Sequence, residues 1–111
     1  MKKIRLSIVC KKVAEQYRKV YGDDLVSVLL YGSYARNEQQ QDSDLDMVAI
    51  VKGERVDLQK KLQEVWKVTN KLSIDEDILI SATVIPFDEF AYYKEKFPYY
   101  RNIEKDGIDI K

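Results

Sequence analysis

Apolar and polar positions change their period several times along the chain, and each change marks an element. Leu6, Val9, Val13, Tyr17 and Val20 recur at three- and four-residue steps with Lys and Arg between them, which predicts an amphipathic helix from Lys2 to Tyr21. Gly22 closes it as a C-cap. Leu25 to Tyr31 is a continuous, partly β-branched apolar run and reads as a buried strand; Leu45 to Val51 reads the same way, with a turn at Lys52-Gly53-Glu54. From Arg55 the helical period returns through Leu58, Leu62, Val65, Trp66, Thr69 and Leu72. Glu76 to Ile85 then alternates in the β manner, with Asp77, Leu79, Ser81 and Thr83 on one face and Ile78, Ile80, Ala82 and Val84 on the other. Pro86 stops that strand, and Phe87, Phe90, Tyr93 and Phe97 space out a helix that Pro98 breaks. The end, Asp106 to Lys111, reads as a turn and a short extended tail. With a short helix over Ser33 to Asn37, this order fits a small sheet carrying helices on one side, in the α/β (α+β) class. It has too few βα units for a doubly wound fold.

Composition narrows the picture. At 111 residues and 45% hydrophobic content, residues 1–111 are expected to form one domain with a sizeable core. Nineteen basic and nineteen acidic residues balance, so no overall field favours nucleic acid or a membrane surface. Residues 1–20 hold seven Lys or Arg against one Glu, whereas 21–50 hold six acids against one Arg, which reads as a solvated helix face that offsets an acidic pocket, ahead of a nucleic-acid contact. The apolar run after the first five residues is too short for a signal peptide core or a membrane span. The chain has no His, which excludes imidazole as base or ligand. Its single cysteine, Cys10, forbids an intrachain disulfide, suits a cytoplasmic setting, and reads as a small buried hydrophobe.

The chemistry concentrates between the first two strands. One strand closes on Gly32-Ser33, and ten residues after Ser33 the next opens on Ser43-Asp44-Leu45-Asp46. On a strand Asp44 and Asp46 share a face, with α-carbons roughly 6.5 Å apart. Two carboxylates so placed repel unless a cation sits between them, and hard oxygen ligands suit Mg²⁺ or Mn²⁺ shared with substrate phosphates. Gly32 lacks the β-carbon that would keep a polyphosphate off the backbone, and a helix starting near Ser33 would turn free N–H groups toward that anion.

Gly32-Ser33-Tyr34-Ala35-Arg36 followed by Ser43-Asp44-Leu45-Asp46 resembles the GSxAR(G)…SDxD signature of the DNA-polymerase-β-like nucleotidyltransferase superfamily, and the small size is similar to its minimal nucleotidyltransferase (MNT) branch. One departure is Asn37 where the family carries Gly; Asn is the other residue that tolerates left-handed backbone. The resemblance implies a mixed sheet and a metal-dependent transfer of a nucleotide, with ATP as donor and Mg²⁺ or Mn²⁺ as cofactor. It implies Asp44 and Asp46 as catalytic metal ligands, joined by a third carboxylate on the strand after the long helix, for which Asp77 is best placed and Asp75 is the fallback. Gly32, Ser33, Arg36 and Ser43 would bind the nucleotide, although Arg36 could equally pair with an acid of the protein. MNT proteins often act as antitoxins that transfer AMP to a tyrosine of a HEPN-domain toxin, so a HEPN-type protein partner follows. The C-terminal aromatics Tyr92, Tyr93, Tyr99 and Tyr100 read as a core lid or a docking patch for such a partner, ahead of a stacking surface for an adenine. Two alternatives stand beside this reading: a catalytically silent protein that neutralises its partner by contact, and a transferase acting on a small molecule such as an antibiotic.

Overall fold

The computed structural model describes residues 3–32, 34–35 and 44–110, with side chains from residue 6 onward. Helix α1 (Lys3–Tyr21) leads through a 3₁₀ turn at Gly22–Asp24 into strand β1 (Leu25–Tyr31). Strand β2 (Leu45–Val51), helix α2 (Arg55–Glu76), strand β3 (Ile80–Pro86), helices α3 (Phe87–Tyr93) and α4 (Pro98–Asp106) and a two-residue strand β4 (Ile108–Asp109) follow. The strands form one mixed sheet in the order β3-β2-β1-β4. β1 runs antiparallel to both neighbours, while β2 and β3 are parallel. A parallel pair needs a long crossover, and the 22-residue α2 supplies it.

Helices cover both faces of the sheet, a correction to the one-sided arrangement the element order suggested. Val9, Val13 and Tyr17 of α1 and Leu58, Leu62 and Val65 of α2 pack with Met47, Ala49 and Val51 of β2 on one side. On the other, Val48 and Ile50 meet Ile85 and Ile103, with Phe87, Phe90 and Tyr100 around them. The reason lies in β2: its side chains from Met47 to Val51 are at most 2% exposed, so both faces of the central strand need cover.

The C-terminal third departs from the sequence reading in three places. Asp77 does not open a strand; it is the left-handed cap of α2 (φ 53, ψ 47), its N–H bonded to the Ser73 carbonyl, and β3 starts three residues later. The helix expected to run to Phe97 ends at Tyr93, and Pro98 begins a helix instead of breaking one: the aromatic run divides into α3 and α4, with Pro98 in the first turn of α4, where a missing N–H costs nothing. The extended tail gains a partner, with Ile108 opposite Leu30, Asp109 opposite Leu29, and the Ile110 N–H bonded to the Val28 carbonyl. The short helix expected at Ser33 to Asn37 lies largely outside the described residues; Tyr34 and Ala35 are in a turn.

Three aromatic side chains tie the helices to neighbouring backbone through hydrogen bonds. Tyr17 is fully buried, and its hydroxyl donates to the Thr83 carbonyl at 2.8 Å. Tyr21 donates to the Leu58 carbonyl at 2.8 Å. Trp66 is less buried than a core residue, at 41% exposed, and its indole N–H caps the Ala82 carbonyl at 2.8 Å. Burial pushes the Cys10 thiol up to about 11, which keeps it protonated and unreactive near neutrality. Among the described residues no helix is long and apolar enough to cross a membrane.

At the end of the sheet where β2 and β3 finish, Arg55 at the start of α2 holds Glu89 of α3 through contacts of 2.7 and 3.1 Å. Tyr100 of α4 donates to the same carboxylate at 2.8 Å. Burial alone would raise the Glu89 carboxyl, but the bonds from Arg55 and Tyr100 outweigh it and hold it below the usual carboxylate range. A carboxyl depressed on folding adds stability that is complete above its unfolded value and is lost as pH falls through the folded one. Glu89→Gln is therefore expected to lower the urea midpoint at pH 7 modestly and to flatten its decline between about pH 5 and pH 3. Tyr17→Phe leaves the Thr83 carbonyl without its buried partner and is expected to cost about 1–3 kcal/mol, read as a lower urea midpoint at unchanged m value.

Candidate active site

The strand register assembles the site. Tyr31 is opposite Asp46 on β1 and β2, and Asp46 is opposite Ser81 on β2 and β3, so the three residues form a row across the sheet. Leu45 is fully buried beneath, while Asp46 is half-buried and Asp44 exposed, the alternation that the DxD spacing predicts. Asp44 lies one residue before β2, where the Leu45 N–H bonds to the Leu79 carbonyl at 2.8 Å.

Gly32 is held directly against this row. Its φ is +77, and a β-carbon at this position would come 2.5 Å from Asp46 Oδ2 and 3.3 Å from its Cγ. Two independent constraints therefore demand glycine: backbone conformation and the space taken by a carboxylate. The glycine of one motif half and the second aspartate of the other are in contact, so the turn at Gly32 and the DxD lie together.

Tyrosines line the side of the row nearest α4. The Tyr31 hydroxyl is 3.4 Å from that of Tyr99, and the two rings meet edge-on with centroids 6.3 Å apart. Burial pushes the Tyr31 hydroxyl well above its ordinary range, reinforced by its bond to Tyr99 and by the negative charge of Asp46, against a smaller opposing effect of a bond with Thr83. It stays protonated at any working pH and can donate a hydrogen bond. Between Gly32 and α4 lies a cavity of about 210 Å³ lined by Tyr31, Gly32, Tyr99, Asn102, Ile103 and Asp106.

Of the residues singled out in the sequence, Gly32, Asp44 and Asp46 are gathered at one end of β1 and β2. Ser33, Arg36 and Ser43 lie outside the described residues. Asp77 is exposed at the α2 cap, two residues before Leu79. Among the described residues no three acidic or sulfur side chains come together as a ready-made metal cluster. What the geometry offers a divalent cation is the Asp44 and Asp46 pair, a donor set that suits Mg²⁺ when substrate phosphates complete the shell. Sequence reasoning passed over Tyr31, which sits immediately before the glycine with nothing in its spacing to mark it, and read Tyr99 only as one of the C-terminal aromatics. The place of Tyr99 beside Tyr31 became visible only with α4, whose signals were Pro98 at the helix start and the four-residue step from Tyr99 to Ile103.

Comparison with known proteins agrees with this architecture. Residues 10–110 match the family model of the nucleotidyltransferase domain. The chain is 30% identical over 104 residues to MJ0141 of Methanocaldococcus jannaschii, provisionally named a protein adenylyltransferase, across 92% of this chain and 95% of that one. A second protein of that organism, MJ1305, provisionally given the same name, is 33% identical over 63 residues, covering 54% of this chain and 43% of its own. The fold is similar to a toxin–antitoxin crystal structure with AMP-PNP (TM-score 0.55, 14% identity, 95% of this chain and 72% of that one). It is also similar to an MntA–HpeT toxin–antitoxin mutant (TM-score 0.57, 13% identity, 92% and 72%). A mixed sheet whose first strand leads into Gly32 beside the paired aspartates is the frame of a nucleotide-handling enzyme. The chain belongs to the nucleotidyltransferase domain family, and the protein is a nucleotidyltransferase.

Gly32→Ala forces a side chain into left-handed backbone and against Asp46. It is expected to destabilise the fold by about 1–2 kcal/mol from backbone conformation alone, read by urea unfolding, and to lower transferase activity further than that loss of stability accounts for.

Proposed function

We propose that this protein transfers AMP from ATP, with Mg²⁺ or Mn²⁺, to a hydroxyl of a partner protein, in the manner of an MNT-type antitoxin acting on a HEPN-type toxin. The observation that carries the reading is the contact of Gly32 with the Asp46 carboxylate, which brings the turn at the end of β1 against the DxD pair. Three findings support it: the family, a relative named for protein adenylylation, and a fold shared with toxin–antitoxin structures, one of them with AMP-PNP.

In this reading Gly32 lets the turn close against Asp46, and Ser33 holds the β and γ phosphates through its hydroxyl and backbone N–H. Asp44 and Asp46 hold the divalent cation, which supplies charge neutralisation at the α-phosphorus when bound. The acceptor oxygen forms a bond to the α-phosphorus as the bond to the β-phosphate oxygen breaks. Pyrophosphate leaves, and the acceptor proton passes to a carboxylate of the site, since the chain has no imidazole to take it. Asp77 is assigned to the acceptor side as the third carboxylate. The absence of a three-acid cluster among the described residues favours one second reading, a protein that binds the partner and its nucleotide without transfer.

One experiment separates the two. With α-labelled ATP, Mg²⁺ and the partner toxin, label is expected on the partner, and Asp44→Ala or Asp46→Ala is expected to cut it by roughly 100- to 1,000-fold, the scale for removing one group that stabilises transition-state charge. An equal loss in Asp77→Ala assigns it to the chemistry; unchanged labelling leaves it as a helix cap. Neutralisation of the toxin without label, unaffected by either DxD substitution, overturns transfer in favour of contact alone.

A further inference from the structure

The cavity beside Gly32 has walls that a triphosphate does not need. Tyr99, Asn102, Ile103 and Asp106 recur on α4 at three- and four-residue steps, so one stripe of that helix faces Tyr31 and Gly32 across the space. Its volume of about 210 Å³ is below the roughly 300–1,000 Å³ of sites that enclose a whole drug-sized ligand, and so fits one ring system rather than an entire nucleotide. The Asp106 carboxylate makes it a poor place for another phosphate. The edge-on meeting of Tyr31 and Tyr99 gives an aromatic corner, and Ile103, 1% exposed, closes the apolar side.

We infer that this cavity receives the nucleobase of the donor triphosphate, with Tyr99 as its stacking surface and Asn102 as the residue that selects adenine. The assignment rests on the transferase reading above and adds to it a specificity site. Base stacking on an aromatic ring is available to any base, so Tyr99 supplies affinity without choice. Choice comes from Asn102, whose side-chain amide carries a donor and an acceptor side by side. Adenine presents the complementary N7 acceptor and N6 amine, whereas guanine presents two acceptors, N7 and O6, and leaves the amide oxygen facing another oxygen. The shared wall at Gly32 places base and phosphates in adjoining compartments.

The test is binding by titration calorimetry in Mg²⁺, using α,β-methylene analogues of ATP and GTP, which do not transfer, and inorganic tripolyphosphate, which has no base. Tyr99→Leu is expected to weaken the ATP analogue by roughly 10- to 100-fold, the range for one lost stacked base, with tripolyphosphate unchanged; Tyr99→Phe keeps the ring and is expected to bind as the parent does. Asn102→Ala is expected to shrink the preference for the ATP over the GTP analogue by about tenfold. The inference is overturned if Tyr99→Leu and Asn102→Ala bind the ATP analogue as the parent does, or if Tyr99→Leu loses tripolyphosphate to the same degree. A parent protein that binds tripolyphosphate and both analogues without preference overturns the adenine assignment and leaves transfer standing. A parent that binds no triphosphate sinks the donor reading along with it.

Discussion

Everything at the acidic end of the sheet depends on the register that sets Tyr31 opposite Asp46. A slip of one residue between β1 and β2 would turn the Asp46 side chain toward the helical core and bring an apolar neighbour to the surface. The apolar pattern guards against this. Leu45, Met47, Ala49 and Val51 fill one core, and Val48 and Ile50 the other, so a shifted pairing would put Asp46 among buried side chains at a cost far above that of a surface rearrangement. Packing deep in β2 therefore fixes the position of a carboxylate at its tip.

The same economy governs the second layer. α4 reaches the site because Pro98 restarts a helix after α3, and because the residues beyond it return to the β1 edge as β4. Ile103 anchors α4 in the core, while Tyr99, one turn earlier, reaches the Tyr31 hydroxyl. At the opposite end of the sheet the Arg55, Glu89 and Tyr100 contacts join the starts of α2 and α4 through α3. The helices over the site face are thus fastened at two points, one apolar and one charged.

Much of this was legible in the sequence, for physical reasons that also explain the rest. α1, β1, β2 and α2 carry uninterrupted periods, and the predicted strands β1 and β2 coincide with those found because each is an unbroken apolar run between polar turns. Gly32, Asp44 and Asp46 were identifiable because a glycine closing one apolar run and paired aspartates opening the next form a distinctive spacing. Asp77 was misplaced because alternation from Glu76 onward is equally consistent with a helix cap followed by a strand, and only backbone geometry separates them. α4 was missed because its period is carried by aromatics that continue those of α3. The pairing of Tyr31 with Tyr99 spans 68 positions, and no local pattern records such a contact.

Trp66 is the one indole in the chain, and its ring nitrogen is tied to the carbonyl of Ala82, the residue after the one that faces Asp46. The molecule therefore carries its own optical reporter on α2, bonded to the edge strand β3. A disturbance that loosens β3 near the acidic row frees that nitrogen to water and shifts the emission, whereas events confined to α4 leave the fluorophore untouched.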